Sequence, residues 1–224
     1  MAERRGQGTP GVNVVVGMGD SVPAGTACGC TTYVDLLAQA LRQRGMGTRA
    51  VNDAQPGATS TELLRFVTSH QVRAAPDQVT VITIGANDFD ATRVADQDCS
   101  AEAALACYGP ALLSAPDNLA KTLSLLRSGP AMSGPIVVTG YWNVFLDGAV
   151  GRELGARAVR TSDALTRALN ARLRAVCQSA GVAYVDLYGP FHQGGDDTAL
   201  LADDGDHPSA AGHALIAQLL GQVV

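Results

Sequence analysis

Val14-Val-Val-Gly-Met-Gly-Asp-Ser-Val-Pro-Ala-Gly25 is a β-branched run that stops at a glycine turn carrying a single hydroxyl, Ser21. Consecutive valines favour a strand buried on both faces. A serine just past such a strand lies at its carboxyl end, where open α/β sheets hold their ligands. Outward from this stretch, strand and helix signals alternate to the end of the chain, the pattern of a parallel sheet with covering helices. The runs at 12–17, 48–52, 79–85, 135–141 and 182–186 predict five strands. Residues 32–44 place Val34, Leu37, Ala38 and Leu41 on one helical face before Gly45. Thr59-Ser-Thr-Glu62 reads as a capping box opening a second helix. Further helices are expected over about 115–128, over about 158–180 with Gly181 as the stop, and from Ser209 onward. Residues 90–110 and 142–155 lack a strong period and are expected as loops.

The 224 residues, 46% apolar, suit one domain over 12–224 with a substantial core of Val, Leu, Ile and Ala. Residues 1–11 are polar and glycine-rich and stand outside the fold argument. A net charge of −5 argues against nucleic acid as a partner, since that needs a dense basic patch. Fifteen of the 16 basic residues are Arg, Lys121 being the exception, which reads as codon bias rather than recognition chemistry. No apolar stretch approaches the roughly 20 residues that span a bilayer. The opening residues do not read as a secretory signal.

Each predicted strand but the fourth is followed by polar residues suited to acyl transfer. Ser21 follows the first strand, Asn52-Asp-Ala-Gln-Pro-Gly57 the second, Gly85-Ala-Asn-Asp88 the third, and Asp204-Gly-Asp-His-Pro208 precedes the last helix. These four blocks, in this order, resemble those of the SGNH hydrolases, also called GDSL esterases and lipases. The hallmark residues match as Ser21, Gly57, Asn87 and His207, and Asp204 fits the family's Asp-x-x-His. The resemblance spans residues 12 to 216, with Val22 standing where the family usually has Leu. It implies a flavodoxin-like three-layer α/β/α fold, cleavage of a small-molecule ester through an acyl-enzyme on Ser21, and neither a metal nor an organic cofactor.

The chemistry of the residues supports these roles. Serine is a poor nucleophile without an adjacent base, and His207 can take its proton and return it to a leaving alkoxide. Asp204, three residues earlier, is placed to accept Nδ1–H and fix the tautomer, ahead of its competitors Asp203 and Asp206. The backbone N–H groups of Ser21 and Gly57 and the amide of Asn87 are the oxyanion donors. Ser21 is not a nucleophile elbow, for no Gly-x-Ser-x-Gly surrounds it. Asp20 is expected to order its turn, and Asp88 to hold the loop presenting Asn87. His70 reads as a helix-end residue, His213 as structural, and His192 as a loop residue near the active face.

Val22, Phe89, Trp142 and Phe145, with Val144 and Leu146, are candidate walls of an apolar acyl pocket, the alternative being that they simply cover the sheet. Five cysteines leave at least one without an intramolecular partner. Cys99 and Cys107 enclose a short loop that a bridge would close, as suits an oxidising compartment and a secreted protein. A cytoplasmic location is the alternative. Cys28 and Cys30 stand too close to pair comfortably with each other, so each is expected to find a partner elsewhere. Cys-x-Cys is also a metal-ligand fragment, but no second Cys/His cluster completes a tetrahedral site. Cys177 reads as a small buried hydrophobe, and a monomer is expected. Besides hydrolysis, the same serine would serve an acyltransferase or a carbohydrate O-acetylesterase. A non-catalytic binding module on this fold is the third class, and the intact Ser21, Asp204 and His207 argue against it.

Overall fold

The computed structural model describes residues 12–90, 104–128, 134–145 and 147–224. Five parallel strands form one sheet: β1 Val14–Gly19, β2 Arg49–Asn52, β3 Gln78–Thr83, β4 Ile136–Thr139 and β5 Ala183–Val185. Their spatial order is β2-β1-β3-β4-β5, every neighbouring pair parallel. This is the flavodoxin-like order, whose direction reverses between β1 and β3 and opens a crevice at their carboxyl ends. The side chains of β4 are all buried, as are those of Val79 to Thr83 in β3, which explains their unbroken apolar runs.

Nine helices appear among the described residues: α1 Ser21–Ala24, α2 Tyr33–Gln43, α3 Ser60–Ser69, α4 Ala104–Cys107, α5 Gly109–Leu126, α6 Gly148–Leu154, α7 Ala156–Ala180, α8 Tyr188–His192 and α9 Ala210–Leu220. Local chemistry sets several ends. Thr32 caps α2 by accepting from Asp35 N–H. The Thr59–Glu62 capping box opens α3 and His70 closes it. Gly181, in the left-handed region at φ +62°, ends α7. α5 begins at Gly109 rather than near 115, because Pro110 suits a first helical turn and Pro116 is absorbed within the helix. The expected loop at 142–155 holds α6, capped by Asp147, and its Leu146 lies outside the described residues.

One contiguous apolar core fills the space between sheet and helices. Trp142 belongs to it: the ring is fully buried and stacks on Phe191 with centroids 4.7 Å apart. Phe145 is 8% exposed and meets Phe89 edge-on at 5.3 Å, Val144 is likewise buried, and Val22 is 2% exposed. Trp142, Phe145 and Val22 therefore pack the core instead of walling a cleft, since a large apolar ring gains most by leaving water altogether. Phe89, also buried, is discussed with the site below.

Cys28 and Cys30 form a disulfide with each other, contrary to the reading from their spacing. Gly29, at φ +57°, supplies the backbone turn that brings their Cα atoms to 5.0 Å, within the usual range for a bridge. Cys107 is also disulfide-bonded, and its expected partner Cys99 lies outside the described residues. Cys177 is free and buried in α7, where burial pushes its thiol up to about 12. No described helix is long and apolar enough to cross a membrane.

Candidate active site

The serine turn is tied to the neighbouring strand by one close approach. Gly19 ends β1 at φ +122°, and a Cβ there would stand 1.8 Å from the Thr83 carbonyl oxygen, so only glycine fits. The next residue, Asp20, donates its N–H to that carbonyl at 3.0 Å. Its carboxylate caps α1 by accepting from Val22 N–H at 3.0 Å, leaving Ser21 as the first helical residue. The Tyr141 hydroxyl donates to the other Asp20 oxygen. Burial pushes the Asp20 carboxyl up to about 7, against the lowering effect of the Tyr141 and Val22 hydrogen bonds and of the charge on His207. That last influence puts the His207 imidazole within electrostatic range of the residue before Ser21.

The oxyanion candidates converge through a second set of bonds. After β2, Asp53 N–H donates to Gly17 O at 2.8 Å and Gln55 N–H to Gly19 O at 2.9 Å, drawing the loop against the serine strand. Gly57, at φ +77°, turns that loop and is exposed. The Asn87 amide donates to the carbonyl of Ala58, one residue on, at 3.1 Å. A carboxamide has two N–H donors, so one bond fixes Asn87 while the other remains for a ligand. Asp88 anchors the turn, accepting from Ser60 N–H at 2.8 Å and from Ser60 Oγ at 2.6 Å at the start of α3. Burial raises its carboxyl despite those bonds.

His207 sits on a loop pinned before α9. Ala202 N–H donates to His207 O at 2.8 Å, and Gly205 N–H to Ala202 O at 3.0 Å. Asp204 Oδ2 lies 2.8 Å from His207 Nδ1, and Asp204 Oδ1 accepts the His207 N–H at 3.0 Å. Asp206 Oδ1 is farther from Nδ1, at 3.4 Å. Partial burial works to raise the Asp204 pKa, but the hydrogen bonds from His207 and Asp206 outweigh it and hold this carboxyl below its ordinary value. Burial drives Asp206 the other way, to about 6, opposed by His207 and reinforced by Asp204. An ionised acceptor at the shorter distance is the stronger partner for an imidazole, so Asp204 is better placed than Asp206 to orient His207. No hydrogen bond joins Ser21 to His207 among the described residues; contacts of this kind commonly tighten when substrate binds.

Sequence reasoning missed one member of this constellation. Tyr141, just past β4, has its backbone clamped by Asn170, which accepts from Tyr141 N–H at 2.9 Å and donates to Tyr141 O at 2.7 Å. Its hydroxyl donates to Asp20 and accepts from Ala86 N–H at 3.3 Å, bridging the Ser21 and Asn87 turns. Phe89 follows that turn and, with Tyr108, Pro110 and Ala111, lines a surface depression of about 340 Å³. His213 is fully buried in α9, where its Nδ1 accepts the Tyr33 N–H at 3.1 Å. His192, read from the sequence as a loop residue, closes α8 and bonds Asp147.

Comparisons with known proteins bear on the family and the fold. The model of the GDSL-like lipase/acylhydrolase family matches residues 18–215. No curated protein matches the chain. Among solved structures, phospholipase A1 from Streptomyces albidoflavus is similar at 22% identity and a TM-score of 0.73, over 95% of this chain and all of that one (100%). The extracellular lipase of Streptomyces rimosus is similar at 21% identity and a TM-score of 0.72, with the same coverage of 95% and 100%. An acetylxylan esterase from Geobacillus stearothermophilus gives 21% identity and 0.62, covering 96% and 95%. At such identities the likeness speaks for the fold, while the family match extends over nearly the whole chain. Matched from residue 18 to residue 215, the chain belongs to the GDSL-like lipase/acylhydrolase family, which cleaves carboxylic esters.

Proposed function

We propose that this protein hydrolyses short- to medium-chain carboxylic esters at Ser21, with His207 as general base and Asp204 orienting it. His207 Nε2 takes the Ser21 proton as Oγ attacks the ester carbonyl. The oxyanion is received by the N–H groups of Ser21 and Gly57 and by the free N–H of Asn87. Collapse of this intermediate passes the proton from His207 to the departing alkoxide and leaves an acyl-serine. A water deprotonated by His207 then releases the acid. The observation that carries this reading is the closed Asp204–His207 pair at 2.8 Å, its imidazole within electrostatic range of the residue next to Ser21.

The depression next to the Asn87 turn mixes the polar Asp88 and Ser114 with the apolar Pro110 and Ala111, and an acyl group longer than acetyl would cover its apolar side. The two disulfide-bonded sites suit an oxidising compartment, and thus a secreted enzyme. The test is a panel of acetyl, butyryl, octanoyl and palmitoyl p-nitrophenyl esters plus acetylated xylan, run beside a fluorophosphonate probe. The expected result is a maximum at butyryl to octanoyl, labelling at Ser21, and loss of both in Ser21→Ala. Turnover unchanged in Ser21→Ala would overturn the mechanism. A maximum at acetyl would overturn the acyl preference and favour a carbohydrate acetate.

A further inference from the structure

Three side chains from separate segments meet next to the His207 loop. Asp147, the cap of α6, places Oδ2 3.0 Å from His192 Nε2, and Asp197 places its own Oδ2 3.9 Å from the same nitrogen. The other ring nitrogen, Nδ1, lies 2.7 Å from the Tyr188 carbonyl and donates to it. That bond turns Nε2 toward the two carboxylates, the second-shell arrangement found behind metal-bound imidazoles. Asp197 is 3% exposed and its Oδ2 has no hydrogen-bond partner. A proton on Nε2 satisfies Asp147 but stands 3.9 Å from Asp197, whose buried carboxyl faces that of Asp147, and two carboxylates side by side with one imidazole between them are costly. Arg152, within α6, is engaged with Asp196 and Thr198 at 3.1 Å each and does not supply the missing charge.

A small cation would satisfy all three groups together. Ligand atoms about 2.0–2.1 Å from a tetrahedral metal stand about 3.3 Å apart, and the gaps of 3.0 and 3.9 Å bracket that spacing. One imidazole with two carboxylates suits zinc, or manganese at higher coordination, better than the all-oxygen preference of calcium or magnesium. Asp147 and His192 are partly exposed, so water can complete the coordination shell. We propose that Asp147, His192 and Asp197 bind one divalent transition-metal cation of the zinc class. Its role would be to fasten the segments behind the catalytic histidine. A Cβ at Gly205, between Asp204 and Asp206, would lie 3.4 Å from Asp147 O and 2.6 Å from the Val150 Cβ. The α6 cap and the His207 loop are thus in direct contact, and the cation takes no part in the chemistry at Ser21.

The full chain, stripped with chelator and dialysed without reductant, is titrated with zinc by calorimetry and checked by elemental analysis. One equivalent is expected, with binding weakened about tenfold or more in Asp197→Asn and His192→Gln and a zinc-dependent rise in Tm confined to the parent. Cobalt(II) in place of zinc gives a readout that needs no variant. An Asp/His/Asp site shows d–d bands without a sulfur-to-cobalt charge-transfer band. No uptake by the folded parent at zinc on the order of 1 mM would overturn the proposal. So would affinity unchanged in both variants, which would place the metal elsewhere on the chain, or a thiolate charge-transfer band, which would show a reduced cysteine as the ligand in place of this site.

Discussion

Replacing Asp20 with Asn isolates the cost of a buried carboxyl beside the nucleophile. Asp20 is fully buried, and its pKa rises from 3.8 to about 7 on folding, chiefly because its anion loses water. A carboxyl raised in the folded state binds its proton more tightly there than in the unfolded chain. Between the two pKa values the native protein holds a proton that the unfolded one has released, so stability falls as pH rises, by about 1.4 kcal/mol per pH unit. Integrated from pH 5 to pH 8, this one group removes roughly 2–3 kcal/mol. In a domain of this size that corresponds to a Tm shift of about 5–10 °C. Asn keeps an oxygen for Val22 N–H and turns an N–H toward the Tyr141 oxygen, so the cap survives without a titrating group. Urea unfolding of both proteins at pH 5 and pH 8 should show Asp20→Asn gaining roughly 2–3 kcal/mol on the parent between the two. A difference constant to within about 0.5 kcal/mol would mean that Asp20 titrates as an ordinary carboxyl and that its burial costs nothing here.

Asn87→Ala should lower kcat by about 10²–10³ with a smaller change in KM, since the amide meets charge that develops only in the transition state. Steady-state kinetics on butyrate ester measure it. Asp204→Asn should cut kcat by several hundredfold or more, on the order of 10²–10⁴, while Asp206→Asn, whose carboxylate sits at 3.4 Å, should stay within about tenfold of the parent. Equal losses in the two variants would show that both carboxylates orient His207. Thr83→Val strips a hydroxyl from between those of Tyr33 (2.8 Å) and Thr139 (2.7 Å) and should cost about 1–3 kcal/mol by urea unfolding.

The strands were readable because nearly continuous apolar runs ended at polar motifs. The five predicted runs overlap the five strands, with ends shifted by at most two residues. Part of the candidate site was legible for the same reason: Ser21, Gly57 and Asn87 each come shortly after their own strand, whereas Asp204 and His207 follow α8 and are placed by the loop before α9. Readings failed where the deciding contact was long-range or turned on backbone detail. Nothing local in Tyr141 announces that its hydroxyl will span Asp20 and Ala86, because both partners come from other strands. The Cys28–Cys30 bridge depends on the left-handed turn at Gly29, which spacing alone does not reveal. Trp142 and Phe145 look like cleft residues in a loop-like segment. Only the stack on Phe191 and the edge contact with Phe89 disclose that they are core.

Ser21 and His207 lie at opposite ends of the chain, yet buried hydrogen bonds join the elements that carry them. His213 in α9, the helix that follows the His207 loop, accepts the Tyr33 N–H at 3.1 Å at the start of α2. The Tyr33 hydroxyl meets Thr83 Oγ1 at 2.8 Å, and the Thr83 carbonyl accepts the Asp20 N–H at 3.0 Å, one residue before Ser21. Tyr33, Thr83, Thr139 and His213 are all fully buried, in a region where apolar side chains would pack without needing partners. Apolar contact is non-directional and tolerates small slides between helix and sheet, whereas a buried donor stranded by a slide costs about 1–3 kcal/mol. The polar chain therefore fixes the position of α9 against β1 and β3 more sharply than packing does. Burial also lowers His213 to about 4, which keeps the imidazole neutral and its Nδ1 free to accept from Tyr33 at neutral pH.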